Sequence, residues 1–355
     1  YKEKPMINKI FLILGIVAAL VMVACDDSGD DGNHTPPHPE TSVWVADQPD
    51  KEVVIVDGEG NFVRTVGESG TFSKPNAFEV KEDNGEVWVC DYYTNRIRRC
   101  DADGNIIAST PPMSSHVVLR ATGISLNATT GECWVSDRGN NRVVRLKPDM
   151  SVVAVVTGLS YPRSVSVTAD RGDVWVADEG NDAVVRVIGS IQGEVTIGSA
   201  EAARYDGLAK PWVVKSEATG GAWAASQEDG KVVRLSPTGQ ELASVGGFEK
   251  PTDIAVHNDA GYVVVADAGL GALVALPCSL TGSHAGYDAV AIFTSEAAAD
   301  PEDVFVEPAT GDIYVADMSA DAIIVLDTTG KEVSRLKGFS GPAAVAVWKK
   351  TGGER

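Results

Sequence analysis

The chain has 355 residues, 50 of them Asp or Glu and 30 Lys or Arg, for a formal net charge of −20 at neutral pH. Affinity for phosphate backbones comes from clustered Lys and Arg, so a chain this acidic excludes nucleic acid as a partner unless one face is strongly basic. Its five cysteines form no Cys-x-x-Cys-His haem motif and no close zinc pair, which excludes a c-type haem and a structural zinc site.

Near the N-terminal end, Met6 is a better start than Tyr1. Met6 to Lys9 is a short basic stretch, Ile10 to Ala24 is an apolar run of fifteen residues, and Cys25 follows a small residue. So short a run, followed at once by acid, predicts a cleaved secretory signal over residues 1–24 rather than a spanning helix. Met22-Val23-Ala24-Cys25 resembles a bacterial lipobox, which implies cleavage before Cys25 and lipidation of Cys25. The resemblance implies a chain exported and held in the bacterial cell envelope, at the periplasmic face or the cell surface, with the lipid anchor as its contact with the membrane. An ordinary signal peptide with an incidental Cys25 is the alternative. The segment 25–42 has no apolar residue able to build a core and reads as a disordered acidic tether. Residues 1–24 carry three lysines and one glutamate, so the chain without them stands at −22.

From residue 43 one phrase recurs seven times, at Val43–Asp47, Val87–Asp91, Cys133–Asp137, Val174–Asp178, Ala222–Ser226, Val263–Asp267 and Ile313–Asp317. The typical copy is Val-Trp-Val-Ala-Asp. Strand-like units repeating every 40 to 50 residues or so are the signature of a β-propeller. A second phrase, usually opening with Pro, also recurs seven times, starting at Pro75, Ala121, Pro162, Pro211, Pro251, Pro301 and Pro342. It reads as the inner strand of a four-stranded antiparallel blade. In the unit 162–197 the strands are predicted at Pro162–Val167, Asp173–Asp178, Ala183–Val187 and Glu194–Ile197.

The last inner strand has no second strand after it, and the first Trp-Asp strand has no inner strand before it. The expectation is therefore that Ala343–Trp348 pairs with Val43–Asp47 and closes the ring over residues 43–355, leaving no open edge between first and last blades. The fold class is all-β, a propeller of seven blades, with six as the alternative because the copy at Ala222 is degenerate and the spacing after Asp267 is long.

Asp91 to Ile97 and Asp137 to Val143, each an Asp-led turn ending in Asn-Arg before Ile or Val, resemble the NHL-repeat family. The resemblance covers residues 43–348 and implies the propeller; the family includes protein-binding, RNA-binding and catalytic members, so it implies no single activity. Streptogramin-lyase-like propellers are similar in blade count, but their inner strands carry Pro-His-Gly and none here has that His. Peptide-amidating lyases of this fold use several His around a channel metal. Here His34 and His38 fall in the tether, and His257 and His284 are expected on the face opposite His116, so they form no cluster. No nucleophile-elbow motif is present either.

The repeated Trp reads as a wedge between blades, and the repeated Asp as an acceptor for nearby backbone N–H groups. The third-strand arginines, Arg96, Arg98, Arg99, Arg142, Arg145, Arg186 and Arg234, read as solvated outer side chains. Cys90, Cys100, Cys133 and Cys278 read mostly as small buried residues, with no pairing selected. Function is sought where the repeat varies, after the Pro of each inner strand. There Asn76, Arg163, Trp212, Asp253, Glu302 and Asp303 are the candidate ligand-binding residues of the channel mouth. Asp253, Glu302 and Asp303 are oxygen ligands that Ca²⁺ or another divalent cation accepts, although no cofactor is required by the fold. The expected role is a non-enzymatic binding or scaffold module for a protein partner or envelope ligand; the alternative is a metal-dependent lyase or hydrolase at the same mouth.

Overall fold

The computed structural model describes residues 40–111, 118–169 and 171–350. The signal, Cys25, nearly all of the tether and His116 lie outside the described residues. Among the described residues no helix is long and apolar enough to cross a membrane.

Seven blades, I to VII in chain order, each contain four antiparallel strands. Blade I is formed by both ends of the repeat region, Thr41–Asp47, Glu52–Asp57, Phe62–Thr65 and, innermost, Pro342–Lys349. Closure follows the expected pairing, with a register from Thr41 opposite Lys349 through Val45 opposite Val345 to Asp47 opposite Pro342. The other inner strands are Pro75–Lys81, Gly123–Leu126, Pro162–Val167, Pro211–Ser216, Pro251–His257 and Pro301–Val306, in blades II to VII. Inner strands start at the upper face, where second strands end.

One strand expectation fails. The fourth strand of blade IV is Glu201–Tyr205, paired with Ala183–Val187, and not Glu194–Ile197. The earlier segment, Gly193–Thr196, reaches back and pairs in parallel with Val152–Thr157 of blade III as a fifth strand. Both stretches alternate acceptably for a strand, so local pattern does not choose between them. The guanidinium of Arg145 donates to the carbonyls of Gly189 and Ile191 and holds the crossing segment on blade III. Blade V gains a fifth strand in the same way, Gly282–His284 beside Glu241–Val245.

The second residue of each phrase packs onto the next blade. Trp44 meets Val87 and Val89, Trp88 meets Ile124 and Val135, Trp134 meets Val174 and Val176, and Trp175 meets Val214 and Ala224. Trp223 meets Ile254 and Val265, Val264 meets Val304 and Val315, and Tyr314 returns to Val43 and Val345 of blade I. These five Trp rings are at most 1% exposed, which leaves them no surface for a ligand.

Four of the seven third-strand arginines are not solvated as expected but built into the junctions between blades. Arg99, Arg145, Arg186 and Arg234 lie directly across the ladder from Trp88, Trp134, Trp175 and Trp223. Each reaches a backbone carbonyl beyond its own blade, at Pro148, Gly189, Pro237 and Leu280 respectively. Each also meets an acid of its own blade, Glu86 at 2.8 Å, Glu132 at 3.5 Å, Asp173 at 3.2 Å and Glu217 at 3.1 Å. Long side chains bury their stems along apolar surface while the head stays paired. Trp and Arg thus form one inter-blade staple, and these arginines make no basic face.

The repeated aspartates sit at the upper face and tie the loop that leads into the inner strand. Asp91 accepts N–H from Ser73 and Lys74, Asp267 from Glu249 and Lys250, and Asp317 from Ala299 and Asp300. Asp267 and Asp317 also take N–H groups two and three residues downstream, as the sequence suggested. Ser226, the substitute in blade V, accepts from Asp229 N–H and donates to the Ala209 carbonyl, the same two loops. Cys90, Cys100 and Cys133 are buried free thiols and Cys278 is a half-buried one.

Candidate ligand site at the upper channel mouth

Every Pro-led inner strand carries the same irregularity. Pro75 lies opposite Asp91 but Ala77 opposite Cys90; Pro162 opposite Asp178 but Ser164 opposite Ala177; Pro211 opposite Ser226 but Val213 opposite Ala225. Blades VI, VII and I repeat it. The skipped residues, Asn76, Arg163, Trp212, Thr252, Glu302 and Ala343, are therefore bulge residues with no partner across the ladder. A β-bulge re-aims its side chain and is common beside functional sites. All six line one central cavity of about 400 Å³, within the usual range for ligand pockets.

After each Pro come two variable residues, of which the first is the bulge residue and the second resumes the ladder. Asp253 and Asp303 follow the bulge and also line the cavity, but each carboxylate reaches the next blade. Asp253 accepts from Val304 N–H at 3.3 Å and Asp303 from Val345 N–H at 2.8 Å. Glu302 points elsewhere, to Lys250 Nζ at 3.3 Å. The expected ligand set of Asp253, Glu302 and Asp303 is thus split, and among the described residues no three His, Cys, Asp or Glu side chains gather closely enough to hold a metal. The physical reason is the bulge: it re-aims Glu302 toward Lys250, while Asp253 and Asp303 reach backbone N–H groups of the next blade.

Deeper in the channel is a group that sequence reasoning missed. Lys215 Nζ stands 3.6 Å from Asp253. Burial would lower its pKa, but the charges of Asp253, Asp303 and Glu79 outweigh that and raise it. Burial, together with the nearby charge of Asp253, holds the Asp303 carboxyl well above the usual range. Lys215 and Glu79 lie two residues further along their strands than the Asp253 and Asp303 positions. A period-two reading of the inner strands would have found them.

Burial also pushes Glu79 up to about 7, against the pull of Lys215 and the hydrogen bonds from Leu126 N–H and the Ser125 hydroxyl. A carboxyl whose pKa rises on folding stabilises the fold fully only below its unfolded value, 4.5, and loses that contribution as pH rises through the folded one. Glu79→Gln, neutral throughout, should therefore be more stable than the parent at pH 8 by up to about 3 kcal/mol, and nearly equal at pH 4. Urea unfolding at both pH values checks this; equal differences at the two would refute it.

The side of the mouth formed by blades II to IV is cationic. The Arg163 guanidinium stacks on the Trp212 ring, Arg138 lies 5.1 Å from the Tyr161 ring centroid, and Lys74 Nζ is 5.5 Å and 5.7 Å from those of Tyr92 and Tyr93. Arg138 pairs with Glu179 at 3.0 Å and Arg163 reaches the same carboxylate only at 4.0 Å. Burial pulls Arg163 down to about 10, the Glu179 charge opposing it. Lys74, Tyr92 and Arg138 were not candidates, because they lie in the loops flanking the repeats.

Neither described histidine enters the mouth. His257 ends the inner strand of blade VI at the lower face, against Tyr262. His284, expected on the same face, instead ends the extra strand of blade V, beside Val245 on the upper side of the rim.

No protein-family model matches the chain, and no curated protein matches it. Among solved structures, a streptogramin B lyase aligns with TM-score 0.59 and 15% identity over 80% of this chain and 92% of that one. A functionally unknown protein from Desulfotomaculum acetoxidans DSM 771 aligns with TM-score 0.67 and 9% identity over 87% and 99%. A catalytically inactive virginiamycin B lyase from Staphylococcus aureus, with quinupristin, aligns with TM-score 0.57 and 15% identity over 79% and 93%. At such identities the likeness concerns the fold: this chain is a seven-bladed β-propeller of the architecture those lyases share.

Proposed function

We propose that the propeller is a non-enzymatic binding module, that its upper channel mouth receives the ligand or a partner's side chain, and that lipidated Cys25 holds it in the bacterial envelope. The observation that carries the reading is the convergence of six chemically unlike bulge residues on one cavity in an otherwise periodic ring. A protein keeping those positions for packing would repeat them, as it repeats Trp and Asp. The acids that line the mouth are engaged in structure, Asp253 and Asp303 on backbone N–H groups and Glu302 on Lys250.

A photo-crosslinking phenylalanine at Trp212, in cells producing the lipidated chain, should give a discrete adduct, while the same group at exposed Phe62 on the lower rim should not. Adducts at neither or at both sites would sink the reading. The lyase reading draws on the fold shared with streptogramin B lyase. Quinupristin incubated with the protein and Mg²⁺ or Ca²⁺ should be recovered unchanged by liquid chromatography; conversion would replace the binding reading with the lyase one. Cys25→Ser should move the protein from the membrane fraction to the soluble one, and persistence in the membrane would remove the anchor from the proposal.

A further inference from the structure

We propose that the upper mouth receives an organic oxyanion, a carboxylate or phosphate group borne by a small ligand, between Lys74 of blade II and Arg163 of blade IV. The inference rests on the reading of the mouth as the binding site and adds the chemistry of what it binds.

Lys74, Arg138 and Arg163 converge on one cavity, and the carboxylate in ion-pair reach of two of them is the same one, Glu179. Among the described residues Lys74 Nζ meets only the Tyr92 and Tyr93 rings and no carboxylate. The Arg163 side chain donates no hydrogen bond among the described residues, although only a quarter of it is exposed. A guanidinium has five N–H donors in a planar fork that matches carboxylate and phosphate geometry. Holding one half-buried, stacked on an indole and without an acceptor, costs free energy that a bound oxyanion would recover. Beside it, Arg138 Nε is buried with no hydrogen-bond partner in the described structure.

The aromatic rings fix the cations without neutralising them. A cation on a ring face is attracted by the ring quadrupole and keeps its charge and its outward donors. The repeated aspartates of the same face do not cancel this charge freely: Asp91 and Asp137 are paired with Arg98 at 3.1 Å and Arg142 at 2.7 Å, and the others accept backbone N–H groups. The rest of the molecule limits the ligand. A body at −20 repels long polyanions, so the anion is a small one that fits a cavity of about 400 Å³.

The test is isothermal titration calorimetry of the full chain with citrate, inorganic phosphate and glucose. Citrate or phosphate should bind and glucose should not, with affinity falling between low and high salt. Arg163→Gln and Lys74→Gln should each weaken anion binding roughly tenfold or more, and Arg163→Lys should recover part of the loss. Lys74 lies on a loop, so its variant remains informative where an Arg163 variant fails to fold. Binding of citrate alone assigns a carboxylate ligand and of phosphate alone a phosphorylated one. Anions that bind no better than glucose, or variants that bind like the parent, overturn the proposal, and neither outcome alters the Trp212 crosslinking result.

Discussion

Ending the chain at Ser340 should abolish cooperative unfolding. The deletion removes Pro342–Lys349, the inner strand of blade I, and with it buried Ala344, Val345, Ala346 and Val347. Fully burying a Val contributes about 1.5–3 kcal/mol, so the two valines alone account for roughly 3–6 kcal/mol. The loss does not stop there. Thr41–Asp47 would keep a partner on one side only, and Val43 and Val45, in the cluster that joins blades VII and I, would lose Val345 and Val347. A domain has only about 5–15 kcal/mol of net stability, so the deletion consumes most of it. It also bares strand edges that invite association between chains. Urea unfolding followed by far-UV circular dichroism should show a broad, non-cooperative change or aggregation; a sigmoidal transition at the parental midpoint would show that the ring does not depend on its closing strand.

The blades were legible in the sequence because each repeats two local signals, an inner strand led by Pro and a Trp-Asp strand, and because the surplus halves at the two ends complement each other. What stayed illegible depends on partners rather than on pattern. Gly193–Thr196 alternates as an edge strand should, yet it belongs to blade III because Arg145 and an open outer strand are there to receive it. The third-strand arginines looked solvated because a lone Arg on a strand usually is; only the cross-strand register puts four of them, Arg99, Arg145, Arg186 and Arg234, opposite a Trp and within reach of the neighbouring blade. At the mouth, the positions where the repeat varies are brought together: Asn76, Arg163, Trp212 and Glu302 all line the cavity with Asp253 and Asp303. Neighbouring acids in the chain read as a single ligand set, but the bulge sends Glu302 to Lys250 and leaves Asp303 to the next blade.

Replacing Trp223 by Ala should cost about 3–5 kcal/mol, the usual range for removing a fully buried large aromatic, whereas Trp212→Ala should cost about 1 kcal/mol or less. The two residues are close in sequence and lie on adjacent strands of blade V. Trp223 is fully buried, packs against Ile254 and Val265 of blade VI, and its Nε1 finds no hydrogen-bond partner among the described residues. Its contribution is therefore packing, and Ala would leave a cavity between two blades that rigid sheets cannot collapse to fill. Trp212 is a half-buried bulge residue whose ring supports Arg163, so its removal gives up a cation–π contact and little interior. Binding should respond in the opposite order. Trp212→Ala should weaken citrate or phosphate binding by releasing Arg163 from its fixed position, while Trp223→Ala, at temperatures where it remains folded, should bind like the parent. Equal stability losses would mean that the mouth is part of the core. Equal binding losses would mean that the ring transmits strain to its centre. The separation of the two effects is what allows the mouth to vary from blade to blade while the wedges between blades repeat.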